Sequence, residues 1–311
     1  MLGTVLRRLK GTPDADDLVA GAAAAAAARV EAATGTPADP RAAAFFDVDN
    51  TMMRGASIFH FARGLAARDF FSTRDLTTFA WRQVKFRIGG SENHEDMMEA
   101  REAALAFVAG KPVDELRRHA EDIYDELMAE RIWSGTHELA RQHMAAGRRV
   151  WLITATPVEL ANIIADRLEL TGALGTVSQI QDGRYTGHLS GVPLHGTAKA
   201  EAIRALAAQE HLDLQECFAY SDSINDRPML ELVGHPVVIN PDTALRQHAR
   251  REGWPILDFR TGRKAIRLGL PGAAALIGAA VGIITVRRRR RRQRSIVDIP
   301  WPPAVVAAIR T

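Results

Sequence analysis

Short apolar runs alternate with helical spans along most of this chain, and this alternation restricts the fold more than any other feature. Five runs have the length and the near-continuous apolar character of strands buried on both faces: 43–48, 149–154, 217–221, 236–240 and 255–259. Helical spacing is found between them, at 157–170, 197–211 and 241–252. The pattern predicts an α/β fold with a parallel sheet.

Two interruptions of this pattern predict additional structure. Residues 51–148, between the first two strands, have helical spacing and are too long for a simple crossover. We therefore expect a core formed by residues 41–54 and 141–262, with residues 55–140 forming an inserted helical subdomain. The second interruption is an Asp-Gly pair at 182–183 between alternating residues, which predicts a β-hairpin within 176–189.

Composition excludes several classes of protein. A chain of 311 residues with 47% hydrophobic residues buries a substantial core, so global disorder is excluded. The single cysteine, Cys217, excludes an intrachain disulfide and a cysteine-rich zinc site, and it indicates a reducing compartment. Residues 1–40 form an alanine-rich extension in which three acids precede residues 21–28, a pattern that predicts a short helix on a tether and not a signal peptide.

Paired carboxylates follow two of the predicted strands. Asp47 and Asp49 stand at the end of the first strand, and Asp222 and Asp226 follow the strand at 217–221. Parallel α/β sheets bind ligands at the carboxyl ends of their strands, so these acids converge if the two strands are neighbours. Such a cluster repels itself unless a hard cation lies in it, and Mg²⁺ prefers oxygen ligands. The sequence therefore predicts a magnesium site.

Four ordered motifs resemble those of the haloacid dehalogenase superfamily, and in particular its subfamily IB branch that contains the phosphoserine phosphatases. The matching residues are Asp47-Val48-Asp49-Asn50-Thr51 for the DxDxT motif, Thr154 for the second motif, Lys199 for the third, and Asp222 and Asp226 for the fourth. Each has an ordinary interpretation by itself, such as a helix cap or a solvated charge. All four in order at strand ends favour a common site, and the resemblance covers residues 43–260.

The resemblance implies a Rossmann-like core, a helical cap and a phosphatase mechanism. Asp47 is expected to attack phosphorus and form an aspartyl-phosphate, while Asp49 protonates the leaving oxygen and later activates water. Thr154 and Lys199 are expected to bind the phosphoryl oxygens. The expected magnesium ligands are Asp47, the backbone carbonyl of Asp49, Asp222 and Asp226, directly or through water.

The substrate is not defined by these motifs. The resemblance implies a small phosphomonoester, but the phosphoserine phosphatases carry a glutamate nine residues after the nucleophile, where this chain has Ala56. Phosphoserine is therefore not favoured. Arg54, Arg82, Lys85 and Arg87 are candidates to meet an anionic leaving group, or are simply solvated. Two alternatives are a phosphatase of phosphorylated lipid head groups and a non-catalytic, membrane-bound scaffold that binds phosphate.

The C-terminal segment, residues 268–311, has a different composition from the core. Residues 268–286 carry no charge and are followed by six arginines at 287–292. Eight arginines against one acid give residues 287–311 a charge of +7, whereas the whole chain carries +3. We expect an apolar helix on or in an anionic membrane, with the enzyme cytoplasmic at its inner face; a helix packed on a partner and a disordered tail are alternatives. Nucleic-acid binding is not favoured, since no aromatic residues interrupt the arginines.

Overall fold

A six-stranded parallel sheet forms the centre of the molecule. The computed structural model describes residues 14–28, 41–68, 70 and 108–260. The strands are β1 (Ala43–Asp47), β2 (Arg149–Pro157), β3 (Gly172–Thr176), β4 (Ser178–Gln181), β5 (Arg184–Leu189), β6 (Phe218–Ser221), β7 (His235–Ile239) and β8 (Ile256–Leu257). The order in the main sheet is β3-β2-β1-β6-β7-β8, and every pairing in it is parallel. The predicted α/β fold with a Rossmann-like parallel sheet is confirmed.

One strand of the main sheet was not predicted. The sequence of β3 is Gly-Ala-Leu-Gly-Thr, and all five positions are buried. Glycine and alanine have low strand propensity, so the segment has no strand signal of its own. Its pairing with β2 and its contacts with the preceding helix, Val158–Arg167, decide its conformation.

Helices flank the sheet on both faces. They are α1 (Ala15–Ala27), α2 (Ser57–Ala67), α3 (Val113–Ile123), α4 (Ser134–Ala145), α5 (Val158–Arg167), α6 (Thr197–Gln209), α7 (Arg227–Leu232) and α8 (Thr243–Glu252). A π-helical turn (Tyr124–Met128) and a 3-10 turn (Ala129–Arg131) continue the chain after α3. Where the structure describes the segment between β1 and β2, its ordered elements are therefore helical.

Successive side chains of each strand point to opposite faces of the sheet, and this divides the core into two layers. On one face, which we call the α6 face, Phe45, Trp151 and Ala219 pack with residues of α1, α6, α7 and α8. On the other, which we call the α5 face, Phe46 and Leu152 pack with residues of α2, α3, α4 and α5. The sheet is thus covered on both sides, as its apolar strands require.

The alanine-rich helix α1 packs against α6. A Cβ built at Gly21 would lie 2.8 Å from the backbone nitrogen of Ala202, so the two backbones approach closely. Asp17 accepts a hydrogen bond of 2.5 Å from the hydroxyl of Thr197, the first residue of α6. The predicted helix is present, and its alanine and glycine residues allow this close contact.

The predicted hairpin is formed by β4 and β5. Asp182 and Gly183 have φ values of 51° and 73°, the left-handed conformation that a tight hairpin turn requires and that Asp-Gly adopts readily. Tyr185 in β5 accepts a hydrogen bond of 2.7 Å from the backbone nitrogen of Gly110. The hairpin therefore joins the core to the segment that precedes α3.

The C-terminal segment, residues 268–311, lies outside the described residues, so the predicted apolar helix has no structural description here. Among the helices that the structure does describe, none has the length and apolar character needed to cross a membrane.

Candidate active site

The end of β1 places Asp47 beside Lys199. Asp47 is the last residue of β1 and is 5% exposed. It follows Phe45 by two positions, so its side chain lies on the α6 face, where Lys199 belongs to the first turn of α6. Lys199 Nζ lies 2.5 Å from Asp47 Oδ1. Two residues 152 positions apart in the chain therefore form a buried ion pair.

The second acidic segment reaches the same lysine. Asp226 ends a 3-10 turn after β6, and its Oδ2 accepts hydrogen bonds from Lys199 Nζ at 2.8 Å and from Ser221 Oγ at 2.7 Å. Asp222 Oδ1 accepts a hydrogen bond of 3.3 Å from Thr51 Oγ1, which belongs to the loop after β1. β1 and β6 are neighbours in the sheet, and this adjacency brings the two acidic segments together.

Burial and mutual repulsion raise the pKa of two of these acids. Burial raises the pKa of Asp47 well above its ordinary value; Lys199 counteracts this, while Asp226, Asp222 and Asp49 add to it. Burial, and then the charge of Asp226, raise the pKa of Asp222 to about 7. Burial by itself would lower the pKa of Lys199, but Asp226 and Asp47 outweigh it and raise that pKa. The lysine therefore stays charged in a site that favours additional positive charge.

Thr154 lies at the carboxyl end of β2, next to Ile153, which pairs with Asp47 across the sheet. It is 1% exposed, and its Oγ1 accepts a hydrogen bond of 3.1 Å from the backbone nitrogen of Thr156. This contact uses a lone pair of the hydroxyl oxygen and leaves its hydrogen available for donation. Thr154 is thus at the same edge of the sheet as Asp47, although the structure shows no direct hydrogen bond between them.

Asp49 has a different set of partners. Its Oδ1 accepts hydrogen bonds from the backbone nitrogen of Ser57 at 2.8 Å and from Ser57 Oγ at 2.5 Å. Ser57 Oγ lies 2.5 Å from Thr156 Oγ1. Sequence reasoning did not identify Ser57 or Thr156, because neither belongs to a motif and only folding brings them to Asp49.

Asn240 supports the loop after β1. Its Nδ2 donates a 3.3 Å hydrogen bond to the carbonyl of Asn50, and its Oδ1 accepts a 2.7 Å hydrogen bond from the backbone nitrogen of Phe259. Asn50 itself has φ of 59°, which asparagine tolerates better than most residues. An asparagine directly after an apolar strand was a signal that could have predicted this supporting role.

Arg54 is already engaged within the helical segment. Its guanidinium donates to the backbone carbonyls of Glu130 and Arg131 and lies 5.7 Å from the centre of the Trp133 ring. These contacts anchor the chain before α2 to the turn after α3. The other basic residues considered for the leaving group, Arg82, Lys85 and Arg87, lie outside the described residues.

The donor set is compatible with a magnesium ion only if backbone or water oxygens complete it. Within the described residues, no three side chains of Asp, Glu, His or Cys are grouped as the ligands of one ion. The Asp49 carboxylate is held by Ser57, and Asp226 contacts Lys199 and Ser221. Asp47 and Asp222 have raised pKa values that a nearby cation would lower, and Mg²⁺ usually keeps several waters with one or two carboxylates. The chemistry of the residues therefore fits Mg²⁺.

Comparison with known proteins identifies relatives over most of the chain. The sequence profile of haloacid dehalogenase-like hydrolases matches residues 44–231. A phosphoserine phosphatase of Mycobacterium tuberculosis is 56% identical over 258 residues, which cover 83% of each chain. A histidinol-phosphatase of Neisseria meningitidis is 28% identical over 221 residues, covering 70% of this chain and 98% of the relative.

Among solved structures, a Bordetella pertussis protein of unknown function superposes with a TM-score of 0.61 and 28% identity. The superposition covers 70% of this chain and 99% of that protein.

Proposed function

The chain belongs to the haloacid dehalogenase-like hydrolase family and is a phosphatase of that family, and on this premise we propose that it hydrolyses a small phosphomonoester through an aspartyl-phosphate on Asp47. The observation that carries this proposal is the buried contact of 2.5 Å between Asp47 Oδ1 and Lys199 Nζ. A carboxylate attacks a phosphate dianion only when nearby positive charge reduces their repulsion. Lys199 supplies such charge within contact distance of the attacking group.

The residues divide the reaction into two displacements. Asp47 attacks phosphorus, the bond between phosphorus and the ester oxygen breaks, and Asp49 gives its proton to the departing oxygen. Water then attacks the aspartyl-phosphate and loses a proton to Asp49, which releases inorganic phosphate and restores both carboxyl groups. Lys199 and the hydroxyl of Thr154 bind the phosphoryl oxygens as negative charge spreads over them.

The metal site is part of the same proposal. Asp47, Asp222 and the backbone carbonyl of Asp49 would hold Mg²⁺, and Asp226 would act through water or through its contact with Lys199. When bound, the ion neutralises charge on the phosphoryl group and lowers repulsion among the acids. Burial and the neighbouring acids raise the pKa of Asp47 and of Asp222, and this supports the assignment, because a bound cation would favour the ionised form of both carboxylates.

Substitution of the nucleophile tests the proposal. We expect the full-length protein to hydrolyse an aryl phosphate in the presence of Mg²⁺, and Asp47→Asn to lose nearly all of this turnover, since an amide is not a competent nucleophile. Asp182→Asn is the matched control, because it makes the same change at the exposed hairpin turn. Wild-type turnover by Asp47→Asn would contradict the proposal and would leave the non-catalytic scaffold as the better interpretation.

The substrate requires a direct screen. The relatives' names specify phosphoserine and histidinol phosphate, two small phosphomonoesters whose leaving groups carry an amine. Ala56 provides no carboxylate for such an amine at the position that the resemblance indicates. We expect a screen of these two substrates, other phosphorylated metabolites and phosphorylated lipid head groups to give its highest kcat/KM on a soluble small molecule. A higher value on a lipid substrate would favour the alternative.

Membrane association is a separate proposal that rests on the sequence of the C-terminal segment. The uncharged residues 268–286 and the arginines at 287–292 have the composition of a segment that binds anionic lipid. The full chain should sediment with anionic liposomes, less so in high salt, and a variant ending at residue 267 should not. Equal sedimentation of the two proteins would contradict the proposal.

A further inference from the structure

Ser57 occupies a position that links the helical segment to the Asp49 carboxylate. It is the first residue of α2, and its side chain is completely buried, at 0% exposure. Its backbone nitrogen and its hydroxyl both contact the same atom, Asp49 Oδ1, at 2.8 Å and 2.5 Å. Two donors on one oxygen hold the carboxyl group in one rotamer.

The hydrogen bond between Ser57 and Thr156 has only one consistent direction when Asp49 is ionised. The single hydroxyl hydrogen of Ser57 goes to the carboxylate, so the Thr156 hydroxyl must donate to Ser57 Oγ across their 2.5 Å contact. Thr156 is 2% exposed, and its backbone nitrogen donates to Thr154 Oγ1. The end of β2 therefore orients Ser57, and Ser57 orients Asp49.

These contacts distinguish the two oxygens of the Asp49 carboxyl group. In the described part of the chain, the side-chain hydrogen bonds of Asp49 are both made by Oδ1. The backbone N–H of Ser57 is a fixed donor at 2.8 Å from Oδ1, and a proton on that oxygen would point at it and would also require the Ser57 hydroxyl to turn away. Oδ2 is therefore the oxygen left free for proton transfer.

We propose that Ser57 and Thr156 are positioning residues: Ser57 binds Asp49 Oδ1, Thr156 orients Ser57, and together they direct Asp49 Oδ2 toward the leaving group. This inference rests on the proposed function, in which Asp49 is the general acid. Ser57 and Thr156 act through Asp49 and do not contact the substrate. They make the orientation of the acid depend on the packing of α2 against the end of β2.

Two aryl phosphates with different leaving groups provide the test. Dinitrophenolate leaves without a proton, whereas phenolate depends on the general acid, and both substrates present the same phosphoryl group. With Mg²⁺ present, Ser57→Ala should lower kcat/KM for phenyl phosphate by about 10- to 100-fold and for dinitrophenyl phosphate by less than about 3-fold. Equal factors for the two substrates would overturn the proposal.

Substitutions at Thr156 distinguish a loss of hydrogen bonding from a loss of packing. Thr156→Val keeps the shape of the side chain but loses the donor to Ser57, so it should cause the same selective loss, whereas Thr156→Ser should keep the ratio between substrates near that of the wild type. Thr136→Val is the matched control, because Thr136 is also completely buried and donates its hydroxyl to the backbone carbonyl of Thr51. It should change both rates by one common factor, and a selective loss in this control would overturn the proposal.

A double substitution distinguishes this inference from the proposed function itself. Asp49→Asn removes the general acid, so adding Ser57→Ala to it should cause no further selective loss for phenyl phosphate. If the double variant showed a further selective loss and Asp47→Asn were inactive, the positioning role would be wrong and the proposed function would stand. Full turnover by Asp47→Asn would instead remove the proposed function, and this inference with it.

Discussion

The two faces of the sheet hold the two aspartates at the end of β1 by different means. On the α6 face, Asp47 contacts a buried lysine whose helix packs closely against the small residues of α1. Asp49, beyond the strand, is held by hydroxyl and backbone donors from the start of α2 and the end of β2. One carboxylate is thus matched with a full charge, and the other with neutral hydrogen bonds.

The difference follows from the chemistry proposed for each group. A nucleophile must stay ionised in a buried site, and an adjacent ammonium group favours the ionised form. A general acid and base must present one oxygen to the reacting group, and neutral donors on the other oxygen orient the carboxyl group for this. Two aspartates separated by one residue in a single motif therefore obtain different environments from opposite layers of the fold.

The largest expected effect comes from removing the charge on the α6 face. Lys199→Met should lower kcat by about 100- to 1000-fold, because the phosphoryl group loses the cation that contacts the nucleophile, and Asp47 and Asp226 lose their shared partner. Steady-state kinetics with Mg²⁺ measure this loss.

Arg204→Met on the same helix is the control, because Arg204 is half exposed and pairs with Glu201. It should retain wild-type kcat. Circular dichroism and thermal unfolding of both variants separate lost chemistry from lost structure, since a buried ion pair that loses one partner is also destabilised. Retained kcat in a folded Lys199→Met protein would contradict the contrast between the two aspartates.

A second prediction concerns the aromatic core of the α5 face. His143 Nε2 lies 2.7 Å from the Tyr220 hydroxyl, and burial, followed by the charges of Arg148 and His235, lowers the pKa of His143 from 6.5 to about 3. The unfolded chain binds the proton more readily, so this contribution to stability is present in full above pH 6.5 and is lost as the pH falls toward 3. Between pH 7 and pH 4, the contribution of His143 to the free energy of unfolding falls by about 3 kcal/mol.

Denaturant unfolding of the wild type and His143→Phe across this pH range measures the effect. The difference in free energy of unfolding between the two proteins isolates His143 from the acids of the site, whose raised pKa values act in the opposite direction. The wild-type curve should fall more steeply with acidification. Parallel curves for the two proteins would show that His143 is not held neutral by its core environment.

The smallest expected effect compares the same substitution on each face. A Cβ at Gly21 would meet the backbone of α6 at 2.8 Å, whereas a Cβ at Gly64 in α2 would meet the side chain of Ile123 at 2.5 Å. A backbone cannot move without shifting its helix, so Gly21→Ala should destabilise the protein by about 1–2 kcal/mol. Gly64→Ala also meets a completely buried side chain, but it should cost less, because a side chain is displaced more easily than a backbone and alanine favours the helix.

The midpoints of thermal unfolding for these two variants, compared with the wild type, test the relative rigidity of the two layers. Activity provides an independent measure. Gly21→Ala should lower kcat through the displacement of α6 and Lys199, while Gly64→Ala should leave the rate on dinitrophenyl phosphate nearly unchanged. A larger loss of stability in Gly64→Ala would reverse the order that we assign to the faces.

The alternation of apolar runs and helical spans was sufficient to predict the parallel sheet, and the Asp-Gly pair was sufficient to predict the hairpin. Both depend on local preferences that a few neighbouring residues express. β3 could not be predicted in this way, since its glycine and alanine residues form a strand only because β2 and α5 bury them. The packing of α1 on α6 likewise could not be predicted, because an alanine-rich helix does not specify which helix it packs against.

At the site, the acids and the threonine at the ends of β1, β2 and β6 could be located from the sequence, because apolar runs and the spacing of residues after them are local properties. Which side chains touch depends on the folded structure. Lys199 bridges Asp47 and Asp226, Ser57 binds Asp49, and Thr156 contacts Ser57. These contacts join residues up to 152 positions apart. Their geometry depends on strand order and helix packing, which bring distant segments together through burial of the core and not through the preferences of any single segment.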